Sequence, residues 1–285
     1  MIILDGKATA AAIRSELKTQ IQTLHQWSGR PPGLAVILVG EDPASQIYVR
    51  NKEKACADVG VLSETHRLAA DTTPQALHGL IDSLNKRPDI DGILLQLPLP
   101  RVVDSQECLT RIRPDKDVDG FHPVNMGKLV LGLPGFRPCT PAGVIELLRR
   151  YNLNPAGAKA VVVGRSNIVG KPLASMLAQP GAMGDATVTV CHSRTKDLAA
   201  ECRQADFLFL AMGRPRCIAA DMVKPGAVVV DIGINRTEDG LCGDCDFKAL
   251  EGLVRAITPV PGGVGPMTIA QLLMNTVQAY KAHIE

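Results

Sequence analysis

Aromatic residues make up only 3% of this 285-residue chain, with a single tryptophan. The core must therefore be aliphatic, and a nucleic-acid surface that stacks bases on aromatic platforms is not expected. Net charge is +2 and no run of five like charges occurs. Neither nucleic acid nor an anionic membrane is an expected partner. No apolar run reaches about 18 residues, the length of a membrane span, and no cationic-then-apolar leader is visible. The expected location is the cytoplasm, with the eight cysteines as reduced thiols. Cys242-Gly-Asp-Cys245 has CxxC spacing but no second Cys/His pair. Two incidental loop thiols and no metal site are expected.

What the chain does have is alternation of strand and helix patterns, with 46% hydrophobic residues to bury. A helix is predicted over 9–24, with Ile13, Leu17, Ile21 and Leu24 on one stripe. Strands follow at 34–39 and 90–96, and helices start at Asp42-Pro43, Thr73-Pro74 and Thr140-Pro141, each a cap residue before proline. The stretch 113–135 reads as a loop rich in Pro, Asp and Gly. From 160 onward strands are predicted at 160–163, 186–191, 206–211 and 227–232, with helices at 170–179 and 196–203. Thr268-x-x-Gln271 has capping-box spacing and opens a last amphipathic helix. The fold class is α/β: two α/β domains, the second a Rossmann-type parallel sheet.

Residues 161–172, Val-Val-Val-Gly-Arg-Ser-Asn-Ile-Val-Gly-Lys-Pro, are the most informative stretch. Strand, glycine turn and helix start aim backbone N–H groups and a positive helix end at a phosphate. The next strand ends in His192-Ser193-Arg194-Thr195, with no acid before Asp197. An acid there would bind a ribose 2′-hydroxyl and repel a 2′-phosphate. Ser193, Arg194 and Arg165 instead suit a phosphate dianion, so NADP is expected over NAD. His192 reads as structural. In Asp231-Ile-Gly-Ile234-Asn235, glycine at a strand end lets backbone approach a ligand.

In the first half, Tyr48 and Lys52 stand at i and i+4 on one helical face. The strand Gly92-Ile-Leu-Leu-Gln96 ends before Pro98, putting an amide at the sheet's carboxyl edge, where open α/β sheets bind ligands. In Pro114-Asp-Lys-Asp-Val-Asp119-Gly, Asp115 and Asp117 suit turn caps and Asp119 suits a ligand.

Together these segments resemble the bifunctional methylenetetrahydrofolate dehydrogenase/methenyltetrahydrofolate cyclohydrolase family. The matches are Tyr48-x-x-x-Lys52, Gly92 to Pro100, Asp115 to Pro123, Pro138-Cys-Thr-Pro141, Gly164-Arg-Ser-x-x-Val-Gly-x-Pro172 and Pro261-Gly-Gly-Val-Gly-Pro-Met-Thr268, in family order over nearly the whole chain. The resemblance implies a folate-binding catalytic domain over 1–142 and 270–285 and an NADP-binding domain over 143–269. It also implies an active-site cleft between the domains and a homodimer through the Rossmann domain. The implied activity, in one-carbon metabolism, is oxidation of 5,10-methylenetetrahydrofolate by NADP⁺, then hydrolysis of the methenyl product to 10-formyltetrahydrofolate. Lys52 is then the central catalytic residue, Gln96 its partner, Tyr48 a stacking and positioning group, and Asp119 the pterin anchor. Pro98, Gly262, Gly263 and Pro266 would line the substrate site, with the glycine loop lying close against cofactor and substrate. Gly164, Arg165, Ser166, Ser193, Arg194 and Ile234 match the NADP-binding positions. The chain departs from the family at Ala142, often lysine there, and in a longer connection over 180–185.

These residue types suit the chemistry. The dehydrogenation product is a cation, which a permanently charged neighbour would oppose. Gln96 can hold Lys52 without adding negative charge. Three alternatives remain open: a monofunctional methylenetetrahydrofolate dehydrogenase, an NADP dehydrogenase acting on shikimate or an amino acid, and a nucleotide-sensing protein.

Overall fold

The computed structural model describes residues 1–238 and 240–285. It divides into two compact units.

One unit comprises Ala11–Lys128, Pro134–Cys139 and Ile269–Glu285. Its sheet has β2 (Gly33–Val39) at the centre, flanked in parallel by β3 (Leu62–Leu68) and β4 (Gly92–Leu95). Every residue of β2 and β4 is buried, as an apolar run covered on both faces requires. Around it stand α1 (Gly6–Ser28), α2 (Pro43–Val59), α3 (Pro74–Lys86) and α4 (Ser105–Arg111). Two of the three cap-plus-proline starts hold: Asp42 Oδ2 accepts from Ser45 N at 2.7 Å and Thr73 Oγ1 from Ala76 N at 3.2 Å. The helix of the third begins at Cys139, before Thr140, whose hydroxyl bonds Thr268 instead of capping. Helix α2 stops where Gly60 turns left-handed, at φ 91°. The packed core includes Ile37, Leu77, Ile81, Leu84, Ile93 and Leu95.

Three elements here carry no clear sequence signal. Strand β3 is a half-exposed edge whose polar side chains hide its period. Helix α4 is seven residues long. The predicted 113–135 loop contains α5 (Pro123–Val130), started by His122, whose Nδ1 accepts from Val124 N at 3.0 Å.

The other unit comprises Met1–Ala10, Leu129–Leu133 and Thr140–Thr268. It holds α6 (Cys139–Arg150) and a six-stranded sheet. The strands are β1 (Ile2–Ile3), β5 (Lys159–Val163), β6 (Thr187–Cys191), β7 (Phe207–Leu210), β8 (Val228–Asp231) and β11 (Ala256–Ile257). Their order is β1-β11-β8-β7-β5-β6, all parallel. Helices α7 (Gly170–Ala178) and α8 (Leu198–Cys202) connect β5 to β6 and β6 to β7. A short antiparallel pair, β9 (Asn235–Thr237) and β10 (Gly240–Cys242), follows β8. The first ten residues group with this sheet because Ile2 and Ile3 pair with Ala256 and Ile257. Two residues are too few to show a period.

Two buried carboxylates tie together the loops at this sheet's carboxyl end. Asp231 accepts from Gly233 N and Asp244 N, both at 3.0 Å, and from Cys245 N at 2.8 Å. Asp244 accepts from Met212 N at 2.6 Å, Gly213 N at 3.1 Å, Arg214 N at 2.9 Å and Asn235 Nδ2 at 2.9 Å. A Cβ on Gly233 would sit 2.2 Å from Asp244 Oδ1, and one on Gly243 would sit 2.1 Å from Asp231 Oδ2. The CxxC segment is thus built around Gly243-Asp244, not its thiols. Cys245 is buried, and no group able to hold a metal occurs among the described residues.

The last helix, α9 (Val264–Ile284), starts four residues before the predicted capping box. Thr268 lies inside it and bonds Thr140 Oγ1 at 3.0 Å, while Gln271 reaches Asn275. Gly262 turns the chain at φ 107°, and Gly263 N bonds Pro259 O, which lets the helix begin early.

Asp244→Ala should leave four donors without their shared buried acceptor and cost about 3 kcal/mol or more. Urea unfolding checks this; a loss below about 1 kcal/mol would contradict the knot described here.

Candidate active site

The first unit brings the predicted chemistry residues to one sheet edge. Tyr48 and Lys52 lie one turn apart on α2. Lys52 is only 7% exposed, and its Nζ donates to Gln96 Oε1 at 2.9 Å. Gln96 is set by the end of β4: its N donates to Ile37 O at 2.9 Å, and its Nε2 to Leu97 O at 2.8 Å. Its amide orientation is therefore fixed, with the oxygen toward the lysine. The Leu97–Pro98 peptide is cis, and Pro98 is exposed beside it. Tyr48 is half-buried, which raises its phenol pKa.

The carboxylate-rich loop is laid against β4 as an added strand would be. Ile93 pairs with Asp117 in a parallel bridge, and Ile93 N donates to Lys116 O at 2.8 Å. That bridge carries Asp119 toward the end of β4. Asp119 has some exposed surface, but its carboxyl is packed closely enough that desolvation raises its pKa, with the Lys52 charge and the Cys139 thiol opposing.

The neighbouring acids do other work. Asp115 is paired with Arg113 at 2.6 Å. Asp117 is buried and accepts from His122 N at 2.8 Å, Phe121 N at 3.2 Å and Asn125 Nδ2 at 2.8 Å. Burial pushes its pKa up to about 6, against those donors. Lys116, with no sequence signal, is 4% exposed and donates to Arg87 O at 2.6 Å at the end of α3.

In the second unit, the turn after β5 has the predicted layout. Gly164 has φ 136°, and a Cβ there would lie 2.4 Å from Ala211 O. Only glycine fits. Helix α7 starts at Gly170, as expected, with no side chain of its N-cap residue Val169 capping it. Ser166 Oγ is already engaged, accepting from Val169 N at 3.1 Å and Gly170 N at 3.4 Å. Arg165, Ser193 and Arg194 are exposed. Asp197 is turned into α8, where Oδ1 accepts from Ala200 N at 2.9 Å. His192 shapes its own turn: its N donates to Thr195 Oγ1, and its Nδ1 accepts from Arg194 N. Ile234 is 47% exposed after β8, and a Cβ on Gly265 would be 3.7 Å from it.

The glycine loop has a packing reason of its own. A Cβ on Gly263 would meet Pro259 O at 2.6 Å, and Gly262 O accepts from Lys7 N at 2.9 Å. Pro266 falls in the first turn of α9, where proline is tolerated. Ala142 is buried in α6, and the 180–185 connection is mostly exposed.

Residues 4–119 match the catalytic domain, and residues 138–284 the NAD(P)-binding domain, of tetrahydrofolate dehydrogenase/cyclohydrolase. The chain belongs to the tetrahydrofolate dehydrogenase/cyclohydrolase family. It is 71% identical over 281 residues to the bifunctional protein FolD of Nitratidesulfovibrio vulgaris strain DP4, covering 99% of this chain and 98% of that one. Among solved structures it is similar to the bifunctional FolD methylenetetrahydrofolate dehydrogenase/cyclohydrolase of Campylobacter jejuni. The TM-score is 0.95 at 50% identity, covering 99% of each chain. The Trypanosoma brucei methylenetetrahydrofolate dehydrogenase-cyclohydrolase, solved with NADP cofactor and an inhibitor, gives 0.93 at 38% identity, covering 99% of this chain and 98% of that one. In this family member no described helix is long and apolar enough to cross a membrane.

Asp117 has a definite pH consequence. Its folded pKa of about 6 exceeds the ordinary value near ~3.9. Between those values the folded state holds a proton that the unfolded state has lost. Its contribution is therefore fully present at low pH and is lost as pH rises to about 6. Asp117→Asn should flatten this, so that variant stability relative to wild type rises by about 2–3 kcal/mol between pH 4 and 7. Parallel unfolding curves across that range would refute the assignment.

Proposed function

We propose that the protein oxidises 5,10-methylenetetrahydrofolate with NADP⁺ and hydrolyses the 5,10-methenyl product to 10-formyltetrahydrofolate. The observation that carries this reading is the buried 2.9 Å bond from Lys52 Nζ to Gln96 Oε1. It occurs in a chain 71% identical to a protein named for two activities.

Bound NADP⁺ accepts the hydride from the methylene carbon. The donors at the carboxyl end of the second unit's sheet suit its phosphates. Gly164 makes the tight turn against Ala211, Arg165, Ser193 and Arg194 offer exposed donors, and Asp197 is occupied in its helix cap. Ile234 lies at the next strand end. In the hydrolysis, Lys52 takes a proton from the water that attacks the methenyl carbon. The bond from that carbon to the ring N5 then breaks as the new hydroxyl becomes the formyl carbonyl and releases its proton to solvent, and the lysine returns the first proton to N5. Gln96 orients Lys52 through its carbonyl oxygen without adding a charge. Tyr48 packs on the ring, and Asp119 accepts from the pterin's N–H edge. Pro98, Gly262, Gly263 and Pro266 line the remaining substrate surface. The folate-binding domain is read as 1–142 and 270–285 and the NADP domain as 143–269, except that the first ten residues group with the nucleotide unit's sheet.

The protein acts as a homodimer joined through its nucleotide-binding unit. Support comes from the sheet edges. Outer strand β6, Thr-Val-Thr-Val-Cys, carries no charge, and Val190 is 40% exposed. The other unit's edge strand β3 presents Glu64, His66 and Arg67, which guard an edge against pairing. The eight free thiols suit a reducing cytoplasm.

Lys52→Met should lower 10-formyl product formation at least about 100-fold while the protein stays folded, measured with NADPH and methenyl product followed together. Retained hydrolysis would remove Lys52 from its role. Arg194→Ala should raise KM for NADP⁺ about tenfold and leave that for NAD⁺ unchanged; an equal change in both would dismiss the 2′-phosphate contact. Val190→Lys should shift the protein toward monomer in sedimentation at micromolar concentration, and an unchanged dimer would place the contact elsewhere.

A further inference from the structure

The geometry points to Asn275, on the last helix, as a positioning residue that holds Asp119 in register for the pterin ring. The inference rests on the reading of Asp119 as the pterin anchor.

Asn275 is 2% exposed, and its amide is fully engaged. Nδ2 donates to Val118 O at 2.8 Å and to Arg137 O at 3.0 Å. Gln271, one turn earlier, donates from Nε2 to Asn275 Oδ1 at 2.9 Å, which fixes the amide's orientation. Cys139 adds a second donor to the same carbonyl, Sγ to Val118 O at 3.3 Å. The peptide immediately before Asp119 is thus gripped from α9 and from the Pro138-Cys139 segment. On the other side, Ile93 N holds the loop at Lys116 O, and Asp117 is held by three donors.

A carboxylate reading two ring N–H groups needs its direction set closely, because hydrogen bonds weaken steeply with misalignment. The Asn275 amide spans two loop segments 19 residues apart, at Val118 and Arg137. An apolar side chain of the same size would leave two buried carbonyls without this donor. The loop would relax, and Asp119 with it.

The test is a double-mutant cycle on the full-length protein, with Kd for tetrahydrofolate and for NADP⁺ read by isothermal titration. Asn275→Leu should weaken tetrahydrofolate binding about tenfold and leave NADP⁺ binding unchanged. In the Asp119→Asn background the same change should weaken tetrahydrofolate binding less than about twofold, since its route of action is gone. Gln271→Met, which removes only the orienting donor, should give a smaller loss of the same pattern, and it serves if Asn275→Leu does not fold. Equal losses in both backgrounds, a parallel loss for NADP⁺, or unchanged tetrahydrofolate affinity in folded variants would overturn the proposal. If Asp119→Asn alone leaves tetrahydrofolate affinity unchanged, the anchor reading itself fails and this proposal with it. That outcome is distinct from a normal Asp119 effect without coupling.

Discussion

A buried polar group must find partners inside the protein, and that constraint organises both units. Unpaired, each would lose its hydration without return. Asp231 and Asp244 meet the demand with backbone N–H groups from segments far apart in the chain, so the loops after β7 and β8 and the Gly243 segment become one assembly. In the other unit Asp91, fully buried, draws in Arg30 at 2.7 Å, Gly33 N at 2.8 Å and His283 at 3.0 Å. This ties the end of α9 to the start of β2. Asp117 does the same for the turn that leads into α5.

The same constraint distinguishes the side chains available for ligand from those already spent. Ser166, His192 and Asp197 are each used within their own turns or helix caps. Arg165, Ser193 and Arg194 stand exposed beside them. Lys52 Nζ is held by the Gln96 amide oxygen, a partner that carries no charge.

Much of the site was legible in the chain. The glycine turn after β5, the i and i+4 pair on α2 and the amide at the end of β4 are local patterns, each fixed by a few adjacent residues and the geometry of one element. Their element types followed from period and cap residues, and the boundaries came within a few residues. Helix α5, strand β3 and the pairing of Ile2 and Ile3 were not legible. Each is short or half-exposed, so its apolar pattern is weak and its partner strand or loop supplies the stability. The last helix shows the same limit: Thr268 and Gln271 had capping-box spacing, yet the turn at Gly262 and Gly263 started the helix earlier.

By itself the sequence determined the α/β alternation, the glycine turn after β5, the absence of an acid at the end of β6 and the side chains proposed for chemistry. These depend on side-chain type and on spacings shorter than one element. For the Asp115, Asp117 and Asp119 series, in which the sequence already favoured Asp119, only the tertiary structure supplied what occupies the other two. Pairing with Arg113 and burial under His122 and Asn125 consume the first two. It also decided that an asparagine more than 150 residues away holds the peptide before Asp119. Hydrogen bonds across such separations leave no periodic trace in the chain, because they are set by how packed elements meet and not by neighbours in sequence.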